Sequence, residues 1–251
     1  MSWASRRQSL IAGGVLAVVA AFASVVAFVS LYETPSCTDG KRNQDEEGID
    51  CGGGCAFLCR ETVAPPSIRF ARAFSSGEGR VNVVAYIDNP NPRAAVKDAL
   101  FTVELFDASG TAVGAYKGAV DLPAGVTVPV FAPGIAVSAA PTRTFVSFDE
   151  ASLRFEANRS TDEVPVVTDT LLTQLPTPRL TANVRNDLPY TLYNVHVIAT
   201  VFDTTGNVMM ASETLLSRIA GSATEQAVFT WNTPLPTEPG RIDVVPVLPL
   251  R

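Results

Sequence analysis

The ten residues Phe101-Thr-Val-Glu-Leu-Phe-Asp-Ala-Ser-Gly110 return without a gap, 96 positions later, as Val197-Ile-Ala-Thr-Val-Phe-Asp-Thr-Thr-Gly206. Each copy alternates in polarity and then runs into an Asp-containing turn that ends in Gly, which reads as a β-strand with one buried face. Ala99, Phe101, Val103 and Leu105 share that face in the first copy, and Val195, Val197, Ala199 and Val201 hold the same positions in the second. A one-residue slip would turn every side chain to the opposite face, so the repeat fixes which face is buried in both. With one residue of slippage, Asp88-Asn89-Pro90 pairs with Arg185-Asn186-Asp187, each ending a strand at an Asn-containing turn. The chain therefore carries two similar β domains in tandem.

Other strands read at Val81 to Asp88, Ala112 to Val120, Val126 to Phe131 and Thr144 to Phe148, each bounded by Gly or Pro. The turn Asn89-Pro90-Asn91-Pro92 follows the first of these, and neither proline can donate to a ladder. No stretch between residues 60 and 251 sustains a helical period. Roughly seven short strands per 90 to 100 residues give an all-β class of two tandem immunoglobulin-like β-sandwiches. They are expected at 63–158 and 159–251, divided at the polar stretch Asn158 to Glu163. Arg60 to Ser67, RETVAPPS, reads as a stiff Pro-rich spacer ahead of the first.

Leu10 to Tyr32 is an apolar run without a single charge. At about 1.5 Å per residue it reaches roughly 34 Å as a helix, enough to cross a hydrocarbon core of about 30 Å. Arg6 and Arg7 precede it, while Glu33 and Asp39 follow, so the positive-inside bias places residues 1–9 in the cytoplasm and 33–251 outside. The competing reading is a signal peptide cleaved at Ala21-Phe22-Ala23, which would release the same domains in secreted form; the run continues nine residues past Ala23, more than a signal peptide needs.

All four cysteines, Cys37, Cys51, Cys55 and Cys59, fall in one module spanning 33–62. On the oxidising side of a membrane two disulfides are expected, with three pairings open. A zinc site is the alternative, although the x13, x3, x3 spacing does not match paired C-x2-C ligands. The Gly52-Gly53-Gly54 run supplies the left-handed turns that a tight knot requires. The module is also acidic: Asn43, Asp45, Glu47 and Gly48 fit the first half of an EF-hand loop, and Asp39 and Asp50 stand nearby. Position 12 is Gly54 where a bidentate Glu should close the site, so Asp39, Asn43, Asp45, Glu47 and Asp50 are either weak calcium candidates or a solvated acidic loop.

The pattern C-x-DG-x2-N-x-DE-x-G-x-DCGG-x-C-x3-C over Cys37 to Cys59 resembles a cysteine motif of secreted and membrane-anchored bacterial surface proteins. That resemblance implies extracellular placement between an anchor and β-sandwich domains, with no defined chemistry. Val103 to Gly114 and Ala199 to Gly206 are similar to the FxLYD-type bacterial domain, with Phe106 and Phe202 where that family has Tyr. The Asn89-Pro90-Asn91 turn resembles the water-stress domain of late-embryogenesis-abundant proteins. Both families imply immunoglobulin-like sandwiches in interaction or stabilising roles.

The charge balance narrows function further. Arg6 and Arg7 are the only charges before Glu33, so the remainder keeps 17 of the 19 basic residues against 25 acidic ones, net −8. That disfavours nucleic acid, whose affinity comes from Lys and Arg on phosphates. His196, the lone histidine, sits between core-facing Val195 and Val197 and so points to the opposite, solvent-facing side of its strand. Asp107 and Asp203 read as turn residues rather than a carboxylate pair, and Trp231 as a core member. Asn158-Arg-Ser160 is an N-x-[ST] match at the domain boundary. With no nucleophile elbow, Walker loop or H-E-x-x-H, the expectation is a non-catalytic extracytoplasmic binding or assembly module. It carries a single span at 10–32, an unidentified protein or envelope partner, and no cofactor beyond possible calcium. A passive spacer is the alternative.

Overall fold

The computed structural model describes residues 3–31, 36–43, 45–77, 79–157, 164–174 and 177–250. The expected boundary at 158–163, the acceptor Asn158 and the end of the apolar run at Tyr32 lie outside them. Helix α1 (Trp3–Leu31) contains the stretch Leu10–Ser30, which is long and apolar enough to cross a membrane and in which no described residue is buried.

The first sandwich comprises β1 (Ser67–Gly77), β2 (Arg80–Asp88), β3 (Ala94–Phe106), β4 (Ala112–Leu122), β5 (Thr127–Ala136), β6 (Arg143–Phe148) and the short β7 (Phe155–Ala157). The second comprises β8 (Val166–Thr173), β9 (Arg179–Arg185), β10 (Leu192–Asp203), β11 (Val208–Ile219), β12 (Thr224–Thr230) and β13 (Pro239–Val247). All pairings are antiparallel. The sheet β1-β2-β5 faces β4-β3-β6, with β7 continuing β6 along the same edge of β3. In the second sandwich β8-β9-β12 faces β11-β10-β13. The same order recurs: first, second and fifth strands oppose third, fourth and sixth, as in an immunoglobulin-like sandwich.

The repeated face behaves as its pattern requires. Ala99, Phe101, Val103 and Leu105 are buried in one core with Val83, Ile87 and Leu122. Val195, Val197, Ala199 and Val201 are buried in the other with Leu180, Val184, Phe229 and Trp231. The duplication extends to irregularities. Asp98 and Asn194, 96 residues apart, both take left-handed backbone (φ 53 each), Asp98 within the register shift between Val96 and Ala99 of the β3–β4 pairing. Asp107 accepts from the N–H groups of Ser109 and Thr111, and Asp203 does the same from Thr205 and Asn207.

A buried asparagine recurs as well. Asn89, 1% exposed, donates through Nδ2 to the carbonyls of Ala94, Leu122 and Pro123 at 2.8, 3.2 and 2.8 Å. Asn186, fully buried, donates to Tyr190, Ile219 and Ala220 at 2.8, 3.2 and 3.0 Å. In each case the backbone N–H bonds across to the residue before the fifth strand, Val126 or Ala223, or its neighbour. The side-chain oxygen accepts from the backbone N–H two residues on, at Asn91 or Leu188. One side chain thus ties the β2–β3 connection to the β4–β5 connection, and its twin ties β9–β10 to β11–β12.

Replacing Asn89 or Asn186 by Ala leaves buried carbonyls without donors, and each variant is expected to lose roughly 2–4 kcal/mol in denaturant unfolding. Asn→Asp at either site, which keeps the shape but directs a carboxylate at the same carbonyls, is expected to be no milder. A loss below about 0.5 kcal/mol from either Ala variant would contradict this role.

Candidate functional site

Two assemblies could carry function: the seam between the sandwiches and the cysteine module. The seam forms because both outward faces are apolar. Along β2 the residues turned away from the first core include Val84, fully buried, and Tyr86; along β10 the corresponding set is His196, Ile198, Thr200 and Phe202, of which the last three are buried. Sheet β1-β2-β5 therefore lies against sheet β11-β10-β13, giving four stacked sheets with three apolar layers between them. Phe70 stacks on Tyr86 with ring centroids 4.7 Å apart, and both meet the edge of Phe202, at 6.1 and 6.4 Å. The Arg241 guanidinium covers the Phe202 ring at 4.1 Å. Phe74 leaves β1 to pack against the second core.

Thr200 is a fully buried polar residue in this layer, and the Tyr86 hydroxyl donates to its Oγ1 at 3.2 Å. Burial pushes the Tyr86 phenol up to about 12, with the Asp243 carboxylate adding to the effect. Beyond the aromatic layer the seam opens into a groove of about 310 Å³, lined by Asp98, Tyr116, Asp121, His196 and Glu213 among others. His196 Nδ1 shares a hydrogen bond with the Glu213 carboxylate there. His196 turns away from the core, as its position on the strand requires, and stays about half exposed at the rim of the groove between the sandwiches. Asp121 spans the seam, accepting the N–H of Asp98 on one oxygen and that of Leu250 on the other, at 2.8 and 2.6 Å.

In the module, disulfides join Cys37 to Cys55 and Cys51 to Cys59. No cysteine is free, which removes the thiolates that zinc would need. Gly52 and Gly53 take φ +74 and +55, the left-handed turns expected of the glycine run, and a side chain at Gly53 would collide with the Asp45 carbonyl. At Gly48 a Cβ would fall within 2.8 Å of both Cys51 and Cys59 sulfurs.

The calcium candidates do not converge. Asp39 accepts from the Asn43 amide at 2.7 Å and from the Lys41 N–H at 2.9 Å; these bonds hold its carboxyl below the usual range, that from Asn43 most of all. Asp50 accepts the N–H of Gly40, and Asp45 and Glu47 lie against the glycine run instead. Among the described residues no three of Asp39, Asp45, Glu47 and Asp50 bring carboxylate oxygens within 4.8 Å of one another. The acidic side chains staple the loop. Glu46, not singled out by its spacing, is the buried one, accepting the Asn43 N–H at 3.3 Å.

The segment after the module is not a spacer. Leu58 and Val63 pack on the first core, the Leu58 N–H donates to Phe155, and Arg154 lies 3.7 Å over the Phe57 ring. Asn91 closes the joint, donating to the Ala64 carbonyl at 2.7 Å and accepting its N–H at 2.8 Å. Prolines made the segment look extended, and the extension is used to lay it along the sandwich. Asp107 and Asp203 stay at their turns, each held below the usual carboxylate range by the hydroxyl of the residue two positions on. Trp231 lies in the second core and donates from Nε1 to the Ala211 carbonyl.

No protein-family model matches the chain, and no curated protein matches it in sequence. Among solved structures, the transglutaminase of red sea bream aligns with 75% of the chain at 14% identity and a TM-score of 0.23. The chain spans 32% of that protein's length. A likeness of that degree carries no argument about fold or activity.

The seam makes a prediction about tyrosine ionisation. Of the five tyrosines, Tyr86 should titrate near pH 12 by ultraviolet difference absorption, later than the ordinary value of about 10, and Tyr86→Phe should remove that late step. Because the folded-state pKa is raised, the associated stability is complete below pH 10 and is lost as pH rises toward 12. Five tyrosines titrating together while the fold persists would show that the seam is open in solution.

Proposed function

We propose that the chain is a single-pass, membrane-anchored, extracytoplasmic binding or assembly module of a bacterial cell surface, without chemistry of its own. The observation that carries this reading is the uncovered apolar stretch Leu10–Ser30 in the same chain as two disulfides that begin at Cys37. A helix apolar on all sides needs lipid or a core around it, and no core covers this one. Disulfides persist on the oxidising side, which agrees with the orientation set by Arg6 and Arg7. The bacterial placement is supported by the likeness of Cys37 to Cys59 to surface-protein motifs, and an interaction role by the FxLYD-like and water-stress-like strands. The absence of catalysis is supported by the fates of the reactive side chains: His196 is paired on a strand, and Asp107 and Asp203 are bound within separate turns.

A passive spacer is the second reading, favoured by the seam, because four sheets locked in one stack make a stiff body. A secreted form would follow cleavage after Ala23; the apolar run continuing nine residues past that site favours the anchor.

Protease added to intact cells should digest residues 33–251 and leave the first 32 protected, and the mature amino terminus should begin at or near Met1. Protection of 33–251 until lysis would overturn the orientation. A mature terminus just after Ala23 would replace the anchor by the secreted form.

A further inference from the structure

Only one oxygen of the buried Glu46 carboxyl is spent on holding its loop together. Glu46 is 7% exposed, and its Oε2 accepts the Asn43 N–H. The other oxygen, Oε1, lies 3.3 Å from Cys55 Sγ. That sulfur is bonded to Cys37 and carries no hydrogen, so the contact is a hydrogen bond only when the carboxyl brings the proton. Cys37 is in reach as well, because both sulfurs and a Glu46 oxygen lie within 4.8 Å of one another. The charged side chains around Glu46 are engaged elsewhere. Arg42 donates to the Glu46 backbone carbonyl, Asp39 accepts from Asn43 and Lys41, and Asp45 and Glu47 lie against the glycine run. Among the described residues no carboxylate or histidine sits in this way against both sulfurs of Cys51–Cys59. Cys59 is 3% exposed, whereas Cys37 and Cys55 both reach the surface.

We propose that Cys37–Cys55 is an exchangeable disulfide, opened by an external dithiol, with Glu46 as proton donor to the departing Cys55 sulfur. A thiolate of the dithiol attacks Cys37 Sγ, the S–S bond breaks, its electron pair goes to Cys55 Sγ, and the Glu46 carboxyl hands its proton to that sulfur. The second thiolate of the reductant then displaces Cys37, which takes a proton from water. The reductant ends as a disulfide, this chain as two thiols, and Glu46 recovers its proton from solvent. Exchange slows as the departing thiolate becomes more basic, and an ionised carboxylate beside it makes it more basic still; delivery of a proton removes that penalty. The chain is the substrate of the exchange and catalyses nothing.

Opening this bond alone changes reach. Cys51–Cys59 stays closed, and Leu58 still packs on the first core and donates to Phe155. The fourteen residue steps from Cys37 to Cys51 are then free to extend, at about 3.3–3.6 Å each, which adds up to roughly 45–50 Å of chain between α1 and the sandwiches. That gain in reach rests on the anchor reading above, while the exchange itself proceeds alike in an anchored or a secreted chain.

The test uses the full chain in detergent micelles. Limited dithiothreitol, then N-ethylmaleimide and peptide mapping, should label Cys37 and Cys55 about tenfold sooner than Cys51 and Cys59. A water-soluble phosphine, whose attack needs no thiolate, then gives the opening rate between about pH 4 and pH 8. The rate of the native chain relative to Glu46→Gln should fall by about tenfold or more as the carboxyl ionises, because the ionised form has no proton to give and repels the departing thiolate. Glu47→Gln should keep the native profile. Loss of the Asn43 staple by itself would change the rate by one factor at every pH. Opening of Cys51–Cys59 first or in step with Cys37–Cys55 overturns the proposal, and so does a ratio of native to Glu46→Gln rates that stays flat with pH. Either result can stand beside an intact protease pattern on whole cells, so failure here is separable from failure of the surface-module reading.

Discussion

A sheet has two faces, and burying both faces of two sheets is the constraint that organises this protein. Val84, Ile198 and Phe202 would be stranded in water if each sandwich stood alone. Withdrawing side chains of that size from solvent contributes on the order of 1.5–3 kcal/mol apiece as an upper bound. Thr200 makes the contact selective, because the residue is buried and its hydroxyl finds a partner in Tyr86 of the other sandwich. Separating the sandwiches would cost both the apolar contact and that hydrogen bond. Tandem domains usually share modest polar interfaces and move against one another. Here an aromatic layer with an internal hydrogen bond joins the pair.

The paired asparagines solve a different problem. In either sandwich the second-to-third and fourth-to-fifth connections both cross between sheets, and they cross at the same end. Crossing segments leave the ladders, so their carbonyls need other donors. Asn89 and Asn186 provide them, with one short amide supplying donors to three carbonyls and an acceptor to a backbone N–H. Gln would overshoot by a methylene, and Asp would set negative charge among carbonyl oxygens. The retention of this side chain in both copies, while its neighbours change from Asp88 and Pro90 to Arg185 and Asp187, follows from that geometry.

Fold class was legible because the strands that define it bury one face in period two. Ala99 to Leu105 and Val195 to Val201 announce their cores directly. The seam was less legible. Strands covered on both sides lose alternation, so VNVVAYID reads as generally apolar, and VHVIATVF declares its core face without showing that Ile198 and Phe202 on the other face are covered too. His196 was placed on the correct side of its strand, but what borders that side depends on residues of the other sandwich. β1 was missed for a related reason. Phe70 and Phe74 face the seam while Ile68 and Ala73 face the first core, and Arg69 and Arg72 break the pattern between them. In the module the cysteine spacing spoke for cross-links without choosing among pairings, because connectivity depends on three-dimensional proximity. The acidic loop read as a partial calcium site because ligand spacing and backbone stapling use the same residue types, and only distances separate them.

Stiffness runs past the seam to the module. Cross-links hold residues 37–59 together, and Phe57, Leu58, Val63 and Asn91 fix that knot to the edge and base of the first sandwich. A segment this poor in apolar residues could not order itself by a core, so the disulfides supply the order and the sandwich supplies the position. Among the described residues, packing and hydrogen bonds join the module to the first sandwich and the first sandwich to the second.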